Sequence, residues 1–229
     1  MFNHSLIKKY KEETDYKPIM DYNPNSSDLN CLAIIVETRN LDYLDWVTDT
    51  VKHHLNLPIR YFCSHVSKNC INDVEKSIIP ESIDYNKIFK DIHFWNDIEY
   101  ENILVFQHDS FVLRSGIEEF LSYDYIGAPW YWAYGDYRDK RYKDLKDFKN
   151  GGNGGFSLRK RSKMVDIIEN IEQDYEFEDM YFSNAIKDDI PLETKKRFAV
   201  ESMFYEDPLG VHQIQKYLKN DEIKKLLFK

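Results

Sequence analysis

Cysteine is scarce, glycine and proline are sparse, and no long apolar run interrupts the 229 residues. Each shortage removes a class of protein. The three cysteines, Cys31, Cys63 and Cys70, are odd in number and lack the close paired spacing of a zinc site, so reduced thiols in a cytosolic compartment are expected. Met1 to Tyr22 is polar and charged, with no stretch long enough for a signal peptide or membrane anchor; with no membrane span, the expected location is cytoplasmic. Basic residues are in deficit, since 31 Lys and Arg against 40 Asp and Glu leave a net charge of −9. Such a surface repels DNA, RNA and anionic membranes, so no nucleic-acid partner is expected. A phosphorylated ligand then needs local neutralisation, which a divalent cation supplies without a basic face. No Gly-Lys-Ser/Thr follows a glycine loop and no dinucleotide fingerprint follows the first strand, which removes P-loop ATPases and dehydrogenases.

What is present is aromatic and patterned. Phe, Trp and Tyr make up 15% of the chain, and such rings pack either on sugar faces or in a core. Residues 1–30 lack sustained periodicity and end in a turn-rich stretch, which reads as a partly ordered leader before one domain over 31–229. Cys31 to Val36 is a continuous apolar run, as in a strand buried on both faces of a parallel sheet. Leu41, Leu44, Val47, Val51 and Leu55 recur at helical spacing up to Pro58, and Pro58 to Ser64 is a second strand. A helix is expected over Tyr85 to Glu99, strands over Asn102 to Phe106 and at Tyr125-Ile126, and a short helix over Ile117 to Leu121. Residues 131–150 have no clear period and read as a loop or lid. Beyond them come Phe156-Ser-Leu158, a helix to about Ile171, another from Met180 to Ile186, and a strand over Phe198 to Val200. Strand, helix and strand in alternation predict a Rossmann-related α/β domain with a mostly parallel central sheet flanked by helices.

Ligands in such sheets sit beyond the carboxyl ends of the strands. There Gln107-His108-Asp109-Ser110 emerges abruptly from an apolar strand, and Asp109 suits a hard cation such as Mg2+ or Mn2+, or else caps the next turn. His212 is an ordinary histidine unless it pairs with Asp109. Residues 150–155 hold four of the eight glycines; the loop cradles a sugar or phosphate, or is a flexible hairpin. Glu178 and Asp179 open a helix, where a carboxylate meets free amides, or one of them is a general base for an acceptor hydroxyl.

In this order, Ala33 to Arg39, Phe94-Trp95, Ile103 to Ser110, Asp124 to Trp130, Gly152 to Arg159, Glu178 to Phe182 and Leu209 to His212 resemble the DUF5672 family over roughly Ala33 to His212. The resemblance implies a GT-A-like (nucleotide-diphospho-sugar transferase-like) fold. It also implies transfer of a sugar from a nucleotide-sugar donor, with a UDP-sugar the first expectation, to a hydroxyl on a glycan or glycoprotein acceptor, with inversion. Gln107 stands where related transferases carry the first Asp of an Asp-x-Asp metal motif. Asp109 and His212 are then the protein ligands of Mn2+ or Mg2+. Thr38, Arg39, Gln107, His108, Asp109, Gly154, Gly155 and Phe156 fall on the donor side, Trp130 and Glu178 on the acceptor side, and Asp179 is the base, with Glu178 able to exchange roles with it. Richness in Asn, Lys, Ile and Tyr suits an AT-rich genome, and the family is familiar from bacteria and giant viruses, where a viral copy would work in the host cytoplasm. Two other classes fit the same residues: a non-catalytic sugar or sugar-nucleotide-binding module, for which Gln107 argues, and a phosphoester hydrolase, which lacks the clustered Asp and His of a two-metal site.

Overall fold

A computed structural model describes residues 29–134 and 150–227. The leader expected over 1–30 and most of the loop or lid expected over 131–150 lie outside the described residues. Six strands form the central sheet: β1 Cys31–Glu37, β2 Ile59–Cys63, β3 Glu75–Ile78, β4 Asn102–Phe106, β6 Tyr125–Gly127 and β7 Phe156–Lys160, in the order β3-β2-β1-β4-β7-β6. The first four in that order are parallel; β7 runs antiparallel to β4 and to β6. A second sheet is made by β5 Ser110–Val112, β9 Gly210–His212 and β8 Ala199–Val200. The expected α/β architecture with a mostly parallel, helix-flanked sheet is therefore what the chain adopts.

The sheet is covered on both sides because its central strands β1 and β4 are apolar on both faces. Along β1, Cys31, Ala33 and Ile35 enter one core while Leu32, Ile34 and Val36 enter the other, as the two-residue period of a strand requires. The first core is closed by α1 (Leu44–Leu55) and the small sheet, with Val47, Val51, Phe111 and Val211 inside it. The second is closed by α2 (Tyr85–Phe89), α3 (Ile92–Asn96), α4 (Arg161–Asn170) and α5 (Glu178–Ala185), through Phe89, Trp95, Ile167 and Phe182. Helices α6 (Leu192–Phe198) and α7 (Asn220–Leu227) complete the fold.

Several local expectations are corrected. The helix foreseen over Tyr85 to Glu99 is two, because Asp91 takes an extended conformation and its carboxylate caps the second by accepting from the His93 amide at 2.9 Å. Helix α1 begins at Leu44, and it ends at Asn56 in the left-handed region, before Pro58 is reached. The segment at Ile117–Phe120 is a 3-10 turn. Strand β3 escapes an apolar-run search because it is an exposed edge; β5 and β9 escape it because each is three residues long.

Candidate functional site

The strand order reverses between β2 and β4 around β1, and polar residues gather beyond the carboxyl ends of these strands, where such sheets open a crevice. After Phe106 the chain turns through Gln107, His108 and Asp109 into β5, and β5 pairs antiparallel with β9 so that Ser110 faces His212. That ladder, closed by the Gln213 amide donating to the Asp109 carbonyl at 3.2 Å, carries His212 to Asp109. His212 Nε2 is 3.3 Å from Asp109 Oδ1 and 3.0 Å from Gln107 Oε1, while Nδ1 turns to Glu201 Oε1 at 3.4 Å. Asp109 is 2% exposed, and neither carboxylate oxygen has a hydrogen-bond partner among the described residues.

The electrostatics follow from burial and charge. Burial works against both members of the pair, yet the His212 charge holds the Asp109 carboxyl down at about 2. For His212, burial likewise opposes the charged form, but Asp109 and Glu201 lift the imidazole to about 9. A hard divalent cation would draw on the Asp109 carboxylate and, once the imidazole gives up its proton, on His212, with Glu201 orienting the ring from its far side. Among the described residues no group of three or more His, Cys, Asp or Glu side chains is arranged to hold a metal ion, so Asp109 and His212 alone would leave a coordination shell incomplete.

Strand β7 brings the glycine loop against this pair. The Gly155 carbonyl accepts from the Gln107 amide at 2.9 Å and from Ser110 Oγ at 2.8 Å. A Cβ on Gly155 would lie 2.2 Å from His212 Nε2, so only a residue without a side chain lets the loop pass over the imidazole. Gly155→Ala is therefore expected to displace the ring and destabilise the fold by about 1–3 kcal/mol, the range for overpacking; thermal denaturation and the His212 imidazole NMR signals check it.

On the other side of the loop lies the acidic pair. Arg159 on β7 is fully buried and gives Nη1 to Glu178 Oε2 at 2.6 Å and Nη2 to Glu178 Oε1 at 3.0 Å. It also donates to Ser157 Oγ and the Gly154 carbonyl, between the rings of Phe89, Tyr125 and Phe182. Both Glu178 oxygens are thus occupied. Asp179 is half-buried, with Oδ2 accepting from the Gly154 amide at 3.2 Å and Oδ1 from the Met180 amide at 2.8 Å. Burial first, and the Glu178 charge second, push its carboxyl up to about 7.

Two adjoining cavities connect these groups. One of about 600 Å3 is lined by Asp179, Glu178, His212, Gly155, Glu201 and a wall of Trp130, Tyr131, Trp132, Phe177 and Tyr217. Trp130 and Trp132 stack at 5.1 Å, and Phe177 is 49% exposed. The other, about 380 Å3, is lined by Thr38, Arg39, Ile83 and His108; Tyr85 and Gln107 line both. Arg39 is clamped by the Glu37 carboxylate, with Nη2 to Oε2 at 2.6 Å, and His108 Nδ1 meets the Tyr43 hydroxyl at 2.8 Å.

The structure thus brings together Gln107, Gly155, Glu178, Asp179, His212 and Trp130 around the larger cavity, with Thr38, Arg39 and His108 around the smaller. Asp109 sits behind His212 and Gly154 behind Asp179. Phe156 is a correction: its ring is fully buried under Gly210 and against Phe198, and it lines neither cavity. Sequence reasoning passed over Glu201, Asn153, Arg159 and Tyr85. Glu201 carried a signal, since a charged residue directly after the Ala199–Val200 strand repeats the pattern that singled out Asp109.

Among curated proteins no sequence matches the chain. The fold is similar to that of the glycosyltransferase GlyE of Streptococcus pneumoniae TIGR4, at 12% identity and a TM-score of 0.44; the likeness covers 83% of this chain and 55% of that one. It is also similar to galactosyltransferase LgtC, solved with donor and acceptor sugar analogues, at 10% identity and a TM-score of 0.48, over 82% of this chain and 87% of that one. Likenesses this distant assign no activity. The family match is narrower than the resemblance drawn from Ala33 onward and leaves out Thr38 and Arg39, but it takes in the Gln107 turn, the glycine loop, the acidic pair and β9. The family described as a protein of unknown function, DUF5672, matches residues 69–212, and the chain belongs to it.

Proposed function

We propose that the chain is a glycosyltransferase that moves a sugar from a nucleotide-sugar donor, a UDP-sugar in the first instance, to a hydroxyl of a glycan or glycoprotein acceptor, with inversion. The observation that carries this reading is Asp179. A carboxylate poised near 7 on the wall of a cavity, with two backbone amides fixing its orientation, is matched to accepting a proton from a hydroxyl as that hydroxyl attacks. Glu178, which also lines this cavity, would hold the acceptor hydroxyl while its bonds to Arg159 keep the glycine loop and α5 together.

The smaller cavity takes the nucleotide, beside Thr38 and Arg39, and the larger takes the acceptor, against the Trp130 wall, whose rings suit the C–H faces of a sugar. Asp109 and His212 would hold Mn2+ or Mg2+, which supplies neutralisation of a diphosphate leaving group. Glu201 keeps the His212 ring oriented, and Gly155 lets the glycine loop pass close over its imidazole. A cytoplasmic site of action, the host's if the source is viral, suits the three free thiols; among the described residues no helix is long and apolar enough to cross a membrane.

A second reading, a binding module without turnover, is favoured by one observation: Gln107 spends its side-chain oxygen on His212, leaving a single carboxylate beside the imidazole. One screen separates the two. UDP-, GDP-, dTDP- and CMP-sugars, each with and without Mn2+, are expected to yield one nucleotide class that raises the melting temperature by about 5 °C or more at saturating ligand. The shift requires metal and is lost in Asp109→Ala. Release of nucleoside diphosphate under the same conditions establishes transfer or hydrolysis; stabilisation without release establishes the binding module; no shift with any donor rejects both.

A further inference from the structure

One polar group at the junction of the two cavities has no assigned task. Tyr85 lines both, and its hydroxyl oxygen is buried without a hydrogen-bond partner among the described residues. The Gln107 side chain lies beside it without completing a hydrogen bond of good geometry. Leaving a buried hydroxyl unmatched is costly, so native proteins seldom keep one unless something else completes it. The ring is held firmly. Tyr85 is the first residue of α2, directly after Asp84, whose carboxylate accepts from the Asn86 and Lys87 amides, and it packs on Phe89 at 4.9 Å. Burial and the nearby Glu178 charge push the phenol above its ordinary range, so it stays a neutral donor across the working pH.

We infer that the Tyr85 hydroxyl recognises the transferred sugar, donating a hydrogen bond to one of that sugar's hydroxyl oxygens where the cavities meet. This rests on the transferase reading. A donor laid with its nucleotide beside Thr38 and its sugar toward Asp179 must pass Tyr85, since Tyr85 and Gln107 are the residues common to both cavities. A sugar hydroxyl accepts readily from a phenol. A site built to bond a substrate hydroxyl also rejects the analogue lacking it, which makes Tyr85 a determinant of donor specificity.

Tyr85→Phe removes the oxygen and keeps the ring. The experiment measures calorimetric affinity for UDP and for whichever of UDP-glucose, UDP-galactose and UDP-N-acetylglucosamine the wild type binds, with turnover of that donor in parallel. The expected result is a variant that melts no lower than wild type and binds UDP alike. Its affinity for the UDP-sugar and its kcat/KM fall about tenfold or more, the worth of one hydrogen bond in a dry site. A deoxy donor lacking the contacted hydroxyl should bind variant and wild type equally. Unchanged UDP-sugar affinity and turnover would overturn the inference while leaving the transferase reading intact, and so would equal weakening of UDP and UDP-sugar. A wild type that binds no sugar nucleotide takes down the transferase reading and this inference together.

Discussion

Asp179→Asn is expected to lower turnover by about 10²–10⁴-fold, the worth of a general base, with donor affinity little changed. The amide keeps the shape but has a single oxygen, so it can accept from only one of the Gly154 and Met180 amides, and it cannot take a proton. In the wild type kcat/KM should rise with pH through about 7, where this carboxyl ionises, and the rise should vanish in the variant. Stability moves the other way. A carboxyl whose folded pKa lies above its unfolded value favours the fold in its protonated form, so its contribution is present below about pH 4 and is lost as pH climbs toward about 7. The lost hydrogen bond lowers the asparagine variant at every pH, but its melting temperature relative to wild type should rise from pH 3 to pH 8, because only the wild type has a carboxylate to ionise. An unchanged turnover would remove Asp179 from the chemistry; a difference in melting temperature that does not change between pH 3 and pH 8 would mean that its ionised form is better paired than the structure allows.

The largest loss of stability is expected from Arg159→Met. Arg159 is buried among three aromatic rings and holds the carboxylate of Glu178, itself 3% exposed. Removing the guanidinium leaves an uncompensated charge in the core, at about 3–5 kcal/mol, and a protein of this size loses about 10 °C in melting temperature. Replacing Arg159 and Glu178 together with Met should recover most of that loss, because a buried ion pair contributes little net once both desolvation costs are counted. The double variant also tests function. The double variant removes the Glu178 charge that raises the Asp179 carboxyl and the weaker Arg159 charge that lowers it, so the pH at which turnover rises should fall below that of the wild type. If the single and double variants melt alike, the pair is not coupled.

The central sheet could be read from the chain because β1 and β4 are buried on both faces and therefore apolar without a break. Asp109 could be read because it follows such a strand at its carboxyl end. The rest of the site is tertiary. Nothing around His212 in sequence distinguishes it from other histidines; its partnership with Asp109 came from family resemblance and depends physically on a three-residue ladder too short to leave a pattern. Phe156 was placed on the donor side by family resemblance, yet strand alternation turns it inward. Arg159 was hidden by the same alternation: a basic residue in an apolar strand is usually solvent-facing, and only packing against α5 shows that it points into the core. Tyr85 read as one more aromatic at the start of a helix, since an unmatched hydroxyl is invisible until its surroundings are known.

The β5–β9 ladder also sets a schedule. As the polypeptide leaves the ribosome, every strand of the large sheet emerges before Gly210, and the parallel β1–β2–β4 contacts can consolidate while the tail is still being made. His212 arrives after all six of them, and with it the orientation that Glu201 imposes on its ring. A chain cut before Gly210 would thus keep every strand of the large sheet while Asp109 lacked the imidazole that faces it.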